Sequence, residues 1–491
     1  MIAAGILIVI ALIIIAAELT NPFSRLSIVR QPFVIKVQKA GFYAVNENHR
    51  IILRQSWLWQ RFAYLKCGLH TLGSRYVHSP AAKSATIDGI IADIHAHRFR
   101  PDKLLLISGD HFNALFVRNM GVFYYPMLDT RIGSSEADWQ HRQIVYVQTL
   151  AYALGVFQKR PIPVTTIVTT GVYAATCINI AERAYPSDAL YGLLYALAAL
   201  SGIEDANAAP ELMPEQHILS THQLATQLLD GYTSTLRTLY DHYRAHVFDD
   251  NTGLIRTSLH LSGAKDITIR SSAFYDNVIF WKTTQLAGKL GIIKDDPVFL
   301  DMLKERIVER FWLPERGYFL EDQSPEAVLH HYYSSDWLIV LATGFLSPLN
   351  AAERPYFERS VDYIQKMFID RPFAIKYQHE RRAHRQFILA RIAMAAYGGD
   401  AIWSFWGMEY IKVLLLLYEA TRKKTYLQTA DKHIHAYERS MLLNRGFPEV
   451  YDKKGVPLRT WYYRSIRQTG WVIGFEQARA LRAAVGAKGR V

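Results

Sequence analysis

The chain has 491 residues, of which 50% are hydrophobic and 13% aromatic, and its formal net charge is +12. Such a composition can form a large core and excludes global disorder. Lysine and arginine are scattered without a nucleic-acid-binding motif, so we predict no nucleic-acid partner and attribute the charge to solvated helix faces and some attraction to membrane surfaces.

The first predicted element is a wholly apolar segment at residues 2–17, IAAGILIVIALIIIAA, which ends at Glu18. It is at the short edge of a membrane span and long for a signal-peptide core. No lysine or arginine precedes it, and it lacks a clear cleavage site. We therefore predict an uncleaved, single-pass membrane anchor over residues 1–18. Basic residues between Arg25 and Lys39 favour the cytoplasmic side for the chain that follows.

Residues 19–104 form a predicted lead-in segment. Short strand-like runs (PFVIKVQ, GFYAVN and RIILRQ) are followed by a helical stretch near residues 55–72. Strand-like runs of this length do not build a core alone, so we expect the segment to pack on the domain that follows.

From residue 105 onward the sequence predicts one helical domain that extends to residue 491. Apolar residues recur at three- and four-residue spacing, which is the pattern of amphipathic helices. The predicted helices span residues 111–128, 140–157, 165–183, 188–201, 219–247, 272–290, 297–312, 330–346, 353–369, 402–421, 424–443 and 466–485. About a dozen helices of similar length without a long linker suggest concentric rings, an all-α (α/α) toroid with a funnel lined by loops.

Two predicted loops resemble each other. Residues 248–255 read FDDNTGLI and residues 312–319 read WLPERGYF. Each has a polar turn that ends in glycine and an aromatic or aliphatic exit. This weak internal repeat is compatible with a barrel built from repeated helical hairpins.

Asp276 is the first candidate for an acid–base group. It lies in IRSSAFYDNVIFW, where a polar loop meets a predicted helix. The helix dipole there favours the ionised form, so a general acid would need apolar neighbours that raise its pKa. A helix-capping role is the alternative for an aspartate in this position.

Glu449 is the second candidate. It lies in NRGFPEVYDKKG, between Pro448 and Val450, on a predicted loop. A loop carboxylate can hold a water molecule as a general base, or it can be an ordinary surface group. Two carboxyl groups far apart in sequence, one protonated and one ionised, are the pair that inverting glycoside hydrolysis uses.

Three further stretches combine aromatic and polar residues that suit a sugar pocket, where rings stack on pyranose faces and charged groups grip hydroxyls. Taken alone, each tryptophan is more often a core residue than a stacking platform, but three such stretches at helix starts in one chain favour a site. The predicted substrate-binding residues are Asp110, His111, Arg118 and Asn119 in the first stretch, Asp336 and Trp337 in the second, and Asp400, Trp403 and Trp406 in the third.

Residues 105–485 resemble the six-hairpin glycosidases, such as trehalases, glucoamylases and glycogen-debranching glucosidases. The resemblance is carried by FVRNMGVF, FWLPERGYF, GGDAIWSFW and FPEVYDKKG. It implies an (α/α)6 toroid and inverting hydrolysis of α-glucosidic bonds in a small oligosaccharide, with Asp276 as general acid and Glu449 as general base. The match of RSSAFYDN to the family's acid loop is loose. The resemblance implies no metal or organic cofactor.

One position departs from the family pattern. Where those glycosidases have Arg-Asp, this chain has Arg118 followed by Asn119. Asparagine carries no charge, so the substrate differs, Asp110 substitutes for the missing carboxylate, or activity is reduced. The alternative hypothesis is therefore a catalytically silent glycan-binding or structural toroid at the membrane. Hydrolases of this kind are more often expected outside the cell, which conflicts with the charge distribution and leaves the membrane side open.

Overall fold

The fold is given by a computed structural model. It describes residues 81–98, 114–121, 187–203, 215–258 and 267–488, except positions 387 and 462. It also describes residues 9 and 265, parts of 146–158 and short strands within 27–52 and 166–178.

The described helices alternate between an inner and an outer layer. Most inner helices are buried along most of their length, the last one is buried mainly at its start, and outer helices bury one face only. The inner helices are α2 (Ala189–Leu200), α4 (Phe274–Lys289), α7 (Ile339–Thr343, continuing a 3₁₀ turn at Ser335–Leu338), α10 (Ser404–Thr421) and α12 (Val472–Lys488). The outer helices are α3 (Glu215–Val247), α5 (Pro297–Phe311), α8 (Arg354–Lys366) and α11 (Lys424–Asn444).

The inner helices pack side by side in chain order. Helix α2 contacts α4, α4 contacts α7, α7 contacts α10, and α10 contacts α12. Each of α3, α5 and α11 packs on the inner helix that precedes it, and α8 packs on α10. The concentric arrangement predicted from the sequence is therefore confirmed for residues 189–488. Three helices complete the described set: α1 (Ile87–Arg98), which packs on α11, α6 (Pro325–His330) and α9 (Ile388–Met394).

The predicted internal repeat is confirmed as two matching β-hairpins. Strand β8 (Phe248–Asp249) pairs with β9 (Leu254–Ile255), and β10 (Trp312–Leu313) pairs with β11 (Tyr318–Phe319). Both have four intervening residues, and the last of these is a glycine with positive φ, Gly253 at +67° and Gly317 at +76°. Each hairpin directly follows an outer helix. A third antiparallel pair joins β12 (Ile402–Trp403), which directly precedes inner helix α10, to β13 (Val450–Tyr451), which follows outer helix α11.

The prediction of helices at residues 111–128 and 165–183 is wrong where the structure describes these segments. They contain strands β5 (Ala114–Phe116), β6 (Thr166–Thr170) and β7 (Ala174–Ile178). Strands β6 and β7 are rich in β-branched residues, which favour extended backbone, and a short apolar run has no periodicity that separates strand from helix. The class is thus mostly helical rather than all-α.

The lead-in segment contributes strands β1 (Ser27–Arg30) and β4 (Arg50–Ile52). Together with β5, β6 and β7 they form one antiparallel sheet of order β4-β1-β7-β6-β5. A separate pair in the lead-in joins β2 (Lys36–Val37) to β3 (Tyr43–Ala44). The strand-like runs predicted there are confirmed. The sheet crosses the predicted boundary at residue 105, because β1 pairs with β7.

Residues 2–17, the predicted anchor, lie outside the described residues apart from Val9. Among the helices that the structure describes, none is both long enough and apolar enough to cross a membrane.

The repeated hairpin yields a test of the fold. Gly317→Ala should lower the free energy of unfolding by about 1–2 kcal/mol, because alanine is disfavoured in left-handed backbone. Its added Cβ would also lie 3.3 Å from the Cβ of Arg359. Gly231→Ala, in α3 with no atom within 4 Å of its added Cβ, should instead raise that energy by about 0.5–1 kcal/mol. Chemical denaturation measures both, and equal effects would contradict the hairpin geometry.

Candidate active site at the start of the inner helices

Carboxylates collect where the inner helices begin. Asp188 is the N-cap residue of α2, Asp276 lies in the first turn of α4, and Asp336 lies in the 3₁₀ turn that leads into α7. Glu449 joins them through its backbone, because the amide and the hydroxyl of Ser404, the first residue of α10, both donate to its carbonyl oxygen. All four acidic residues are buried. The charges of Asp188 and Asp336 act on Asp276, so these three carboxyl groups form one acidic centre, whereas Glu449 lies at the start of the fourth helix, α10.

Asp276 is fully buried, and the Ser187 hydroxyl donates to its Oδ1 over 2.6 Å. Burial raises the pKa of Asp276 from its ordinary value of 3.8 to about 7, although Arg270 and the bond from Ser187 oppose the shift. The charges of Asp188 and Asp336 raise this pKa further. The carboxyl group is consequently poised to hold a proton near neutral pH, despite its place at the positive end of a helix dipole.

Asp188 lies between Arg118 and the start of α4. Tyr275 donates a hydrogen bond of 3.2 Å to Asp188 Oδ2, and Arg118 Nη1 lies 3.7 Å from the same oxygen. Burial raises the pKa of Asp188, and Arg118 and Tyr275 act against it. Arg118 thus has a carboxylate beside it in space, although the next residue in sequence is Asn119.

Asp336 is bound by a buried arginine and a buried tyrosine. Arg270 Nη1 donates to Asp336 Oδ2 over 2.5 Å, and the Tyr377 hydroxyl donates to the same oxygen over 3.3 Å. Burial would lower the pKa of Arg270, but Asp336 and Asp276 raise it, so its charge is secure. Arg270 therefore couples the two carboxylates at the starts of α4 and α7.

Glu449 is held by Tyr463, whose hydroxyl donates to Glu449 Oε2 over 2.6 Å. Burial and the charge of Glu449 raise the pKa of Tyr463 well above its ordinary value, which keeps the tyrosine a donor. Hydrogen bonds thus hold both the side chain and the backbone of Glu449.

Aromatic rings in contact connect the neighbourhoods of the two candidate acids. The successive ring pairs are Tyr275–Trp406 at 6.3 Å, Trp406–Tyr377 at 6.4 Å, Tyr377–Trp403 at 5.3 Å, Trp403–Tyr397 at 4.6 Å and Tyr397–Tyr463 at 4.7 Å between centroids. The series begins next to Asp276 in sequence and ends on Glu449. The candidate residues Trp403 and Trp406 belong to this aromatic series.

A second buried charge cluster lies beside Arg270 and Asp336. Glu321 accepts hydrogen bonds from Lys265, Arg382 and Arg385. Burial would raise the pKa of Glu321, but these three cations hold it far below its usual range. Burial lowers the pKa of Lys265 to about 8 even though Glu321 acts in the opposite direction.

The structure describes seven of the nine predicted substrate-binding residues. Arg118, Asp336, Trp403 and Trp406 lie in the acidic centre or the aromatic series, and Asn119 is buried in the same 3₁₀ turn as Arg118. Two lie apart from it: Trp337 donates to the Tyr333 hydroxyl in the core, and Asp400 forms an ion pair with Arg381. Asp110 and His111 lie outside the described residues.

Several residues of this region were missed by sequence reasoning, namely Asp188, Arg270, Glu321, Tyr377 and Tyr463. One available signal was the Ser-Asp pair directly before an apolar run, which occurs at 187–188 and again at 335–336. For Glu321 no comparable local signal exists, because its cationic partners come from distant segments.

No protein-family model and no curated protein matches the chain. Similar solved structures include a rhamnosidase from Klebsiella oxytoca with rhamnose bound, at 12% identity and a TM-score of 0.48, over 82% of this chain and 65% of that one. They also include a D-mannose isomerase, at 12% identity and a TM-score of 0.46, over 82% of this chain and 99% of that one.

A third similar structure is a family 15 glucoamylase from Hypocrea jecorina, at 12% identity and a TM-score of 0.46, over 77% of this chain and 65% of that one. The chain thus spans about two thirds of the rhamnosidase and of the glucoamylase. The similar structures thus include glycosidases, the class that the sequence resemblance names, and a sugar isomerase.

The raised pKa of Asp276 predicts a pH-dependent stability. Between pH 4 and pH 7 the unfolded carboxyl group is ionised while the folded one keeps its proton, so folding takes up a proton and stability falls as pH rises. The free energy of unfolding of the wild type, relative to Asp276→Asn, should fall by a few kcal/mol over this range and level off above pH 7. Urea denaturation at a series of pH values measures this, with the exposed Asp301→Asn as control. A pH-independent difference would contradict the shift.

Proposed function

We propose that the chain is a glycoside hydrolase that cleaves α-glucosidic bonds of a small oligosaccharide with inversion of configuration. The observation that supports the proposal is the raised pKa of Asp276, a fully buried carboxyl group at the start of inner helix α4, together with a second buried carboxylate, Glu449, held at the start of inner helix α10. An inverting hydrolase needs this asymmetry, because one carboxyl group donates a proton while the other accepts one from water.

Asp276 is the proposed general acid. A carboxyl group with a pKa of about 7 is protonated often enough at neutral pH to protonate a leaving oxygen, and it is acidic enough to release that proton. The hydrogen bond from Ser187 to Oδ1 holds the carboxyl group in a defined position at the start of α4.

Glu449 is the proposed general base. Its bond from Tyr463 and the two bonds to its carbonyl oxygen fix its position relative to helix α10. In the proposed reaction it removes a proton from water as the water attacks the anomeric carbon, while Asp276 protonates the departing oxygen. The bond from water to the anomeric carbon forms as the glycosidic bond breaks on the opposite face, so the configuration inverts.

Substrate binding is assigned to the aromatic series and to the Arg118–Asp188 pair. Flat rings stack on sugar faces, a carboxylate accepts hydrogen bonds from hydroxyl groups, and the arginine beside it donates to them. Asp188 supplies a carboxylate where Asn119 has none, which supports retained sugar recognition. The choice of an α-linked glucoside rests on the sequence resemblance to six-hairpin glycosidases.

A second candidate function is a catalytically silent glycan-binding toroid. The complete burial of Asp276 favours it, because a general acid has to reach the scissile oxygen. This candidate predicts that oligosaccharides bind in calorimetry without product, even when the protein is stoichiometric with the sugar.

Exchange of each proposed catalytic carboxylate for its amide tests the hydrolase. Glu449→Gln and Asp276→Asn should each lower kcat by about 10²–10⁴-fold, the usual contribution of general acid–base catalysis. Both amides can still accept from Tyr463 and Ser187, so thermal unfolding at acidic pH should change little. The loop variant Glu315→Gln is the matched control and should keep its activity. Proton NMR of the first product shows the anomer, and a retained configuration would contradict inversion.

We also propose that residues 2–17 anchor the protein in a membrane, on the basis of their uninterrupted apolar sequence. The full chain should remain in the membrane pellet after alkaline carbonate extraction, whereas a chain without residues 2–17 should move to the supernatant. Release of the full chain by carbonate would contradict the anchor. Protease protection of the intact membranes then identifies the side on which the domain lies.

A further inference from the structure

An exposed tryptophan lies close to Glu449. The segment after Glu449 folds back on it: Leu458 donates to the Val450 carbonyl, and the Glu449 amide donates to the Ile466 carbonyl over 2.9 Å. This brings Thr460, Trp461 and Tyr463 to the tip of a hairpin-like loop. Trp461 lies at that tip and is 67% exposed.

The tip is locked to the proposed base. The Thr460 amide donates to the Tyr463 carbonyl over 2.7 Å, and the Tyr463 amide donates to Thr460 Oγ1 over 2.8 Å. Tyr463 in turn donates its hydroxyl to Glu449 Oε2. The backbone of Trp461 is therefore held in a defined position relative to the carboxylate of Glu449.

The indole ring of Trp461 is also oriented. Its Nε1 donates to the carbonyl oxygen of Ile392 in α9 over 3.3 Å. Ile388 and Ile392, on the same short helix, are 60% and 65% exposed. Of the tryptophans in the part of the chain that the structure describes, Trp461 is the most exposed, and the others are buried or half-buried. Trp461, Ile388 and Ile392 thus form a small exposed apolar surface with an oriented aromatic ring, and such a ring can stack on a sugar face.

We propose that Trp461 is a stacking platform for one sugar unit of the substrate, a unit separated from the cleaved bond. This proposal rests on the glycosidase function proposed above. Trp461 is two residues from Tyr463, the last ring of the aromatic series and the hydrogen-bond donor to Glu449. An exposed ring held at this place suits a sugar unit that remains outside the buried centre. Three apolar side chains are far fewer than the roughly 20–30 residues that each partner gives to a stable protein interface.

The test compares substrates of different length. For α-linked gluco-oligosaccharides of two and six units, Trp461→Ala should lower the ratio of kcat/KM for the hexasaccharide to that for the disaccharide by about 3- to 10-fold, mainly through KM. Trp461→Phe should restore most of the ratio, because a flat ring remains. Val298→Ala, an exposed apolar residue on outer helix α5, is the control. An unchanged ratio in Trp461→Ala would overturn the platform.

Binding measurements separate this proposal from the hydrolase itself. Calorimetry in the Glu449→Gln background, with and without Trp461→Ala, should show the same length-dependent loss of affinity even if the wild type hydrolyses no substrate. In that outcome the platform stands and the hydrolase fails. Equal affinities for the hexasaccharide would overturn the platform. Loss of binding to phosphatidylglycerol vesicles in Trp461→Ala, with oligosaccharide binding intact, would also overturn it and assign the surface to lipid.

Discussion

The structure depends on the burial of carboxylates at the starts of the inner helices. Helix dipoles favour the ionised form of such groups, whereas loss of hydration opposes it. Asp336 meets this constraint with a hydrogen-bonded arginine, Arg270, and Asp188 lies beside Arg118. Asp276 receives its hydrogen bond from neutral Ser187, and burial raises its pKa to about 7 although the charge of Arg270 opposes the shift. Burial raises the pKa of Asp188 as well, so loss of hydration outweighs the nearby positive charge at both of these helix starts.

The outer layer contributes by fixing where the inner helices begin. The second repeated hairpin leads directly to Glu321, whose carbonyl oxygen accepts from the amide of Phe274, the first residue of α4. The side chain of Glu321 accepts hydrogen bonds from Lys265, Arg382 and Arg385. Breaking a buried ionic cluster of this kind lowers the free energy of unfolding, because the remaining charges stay buried without their partners. A short hairpin on an outer helix therefore constrains the first turn that carries Asp276.

Sequence reasoning succeeded where the signal is local and periodic. The alternating helices from residue 189 onward follow from apolar spacing, and the two hairpins follow from glycine at a fixed place in each loop. It failed at β6 and β7, because a short apolar run has no periodicity that separates a strand from a buried helix. It also could not find Arg270 as the partner of Asp336, because an ion pair across 66 positions has no mark in either segment. The helix start near Asp276 was predictable, whereas the charges that set its pKa were not.

The two proposed catalytic groups differ in what they contact. Asp276 is enclosed by the starts of α2 and α4, whereas Glu449 is tied through Tyr463 to a loop tip that carries exposed Trp461. The proposed inverting displacement needs such an asymmetry, because the leaving sugar departs on the side of the acid while water attacks from the side of the base. The enclosure of Asp276 and the hydrogen bonds that hold Glu449 would give the two groups these different surroundings.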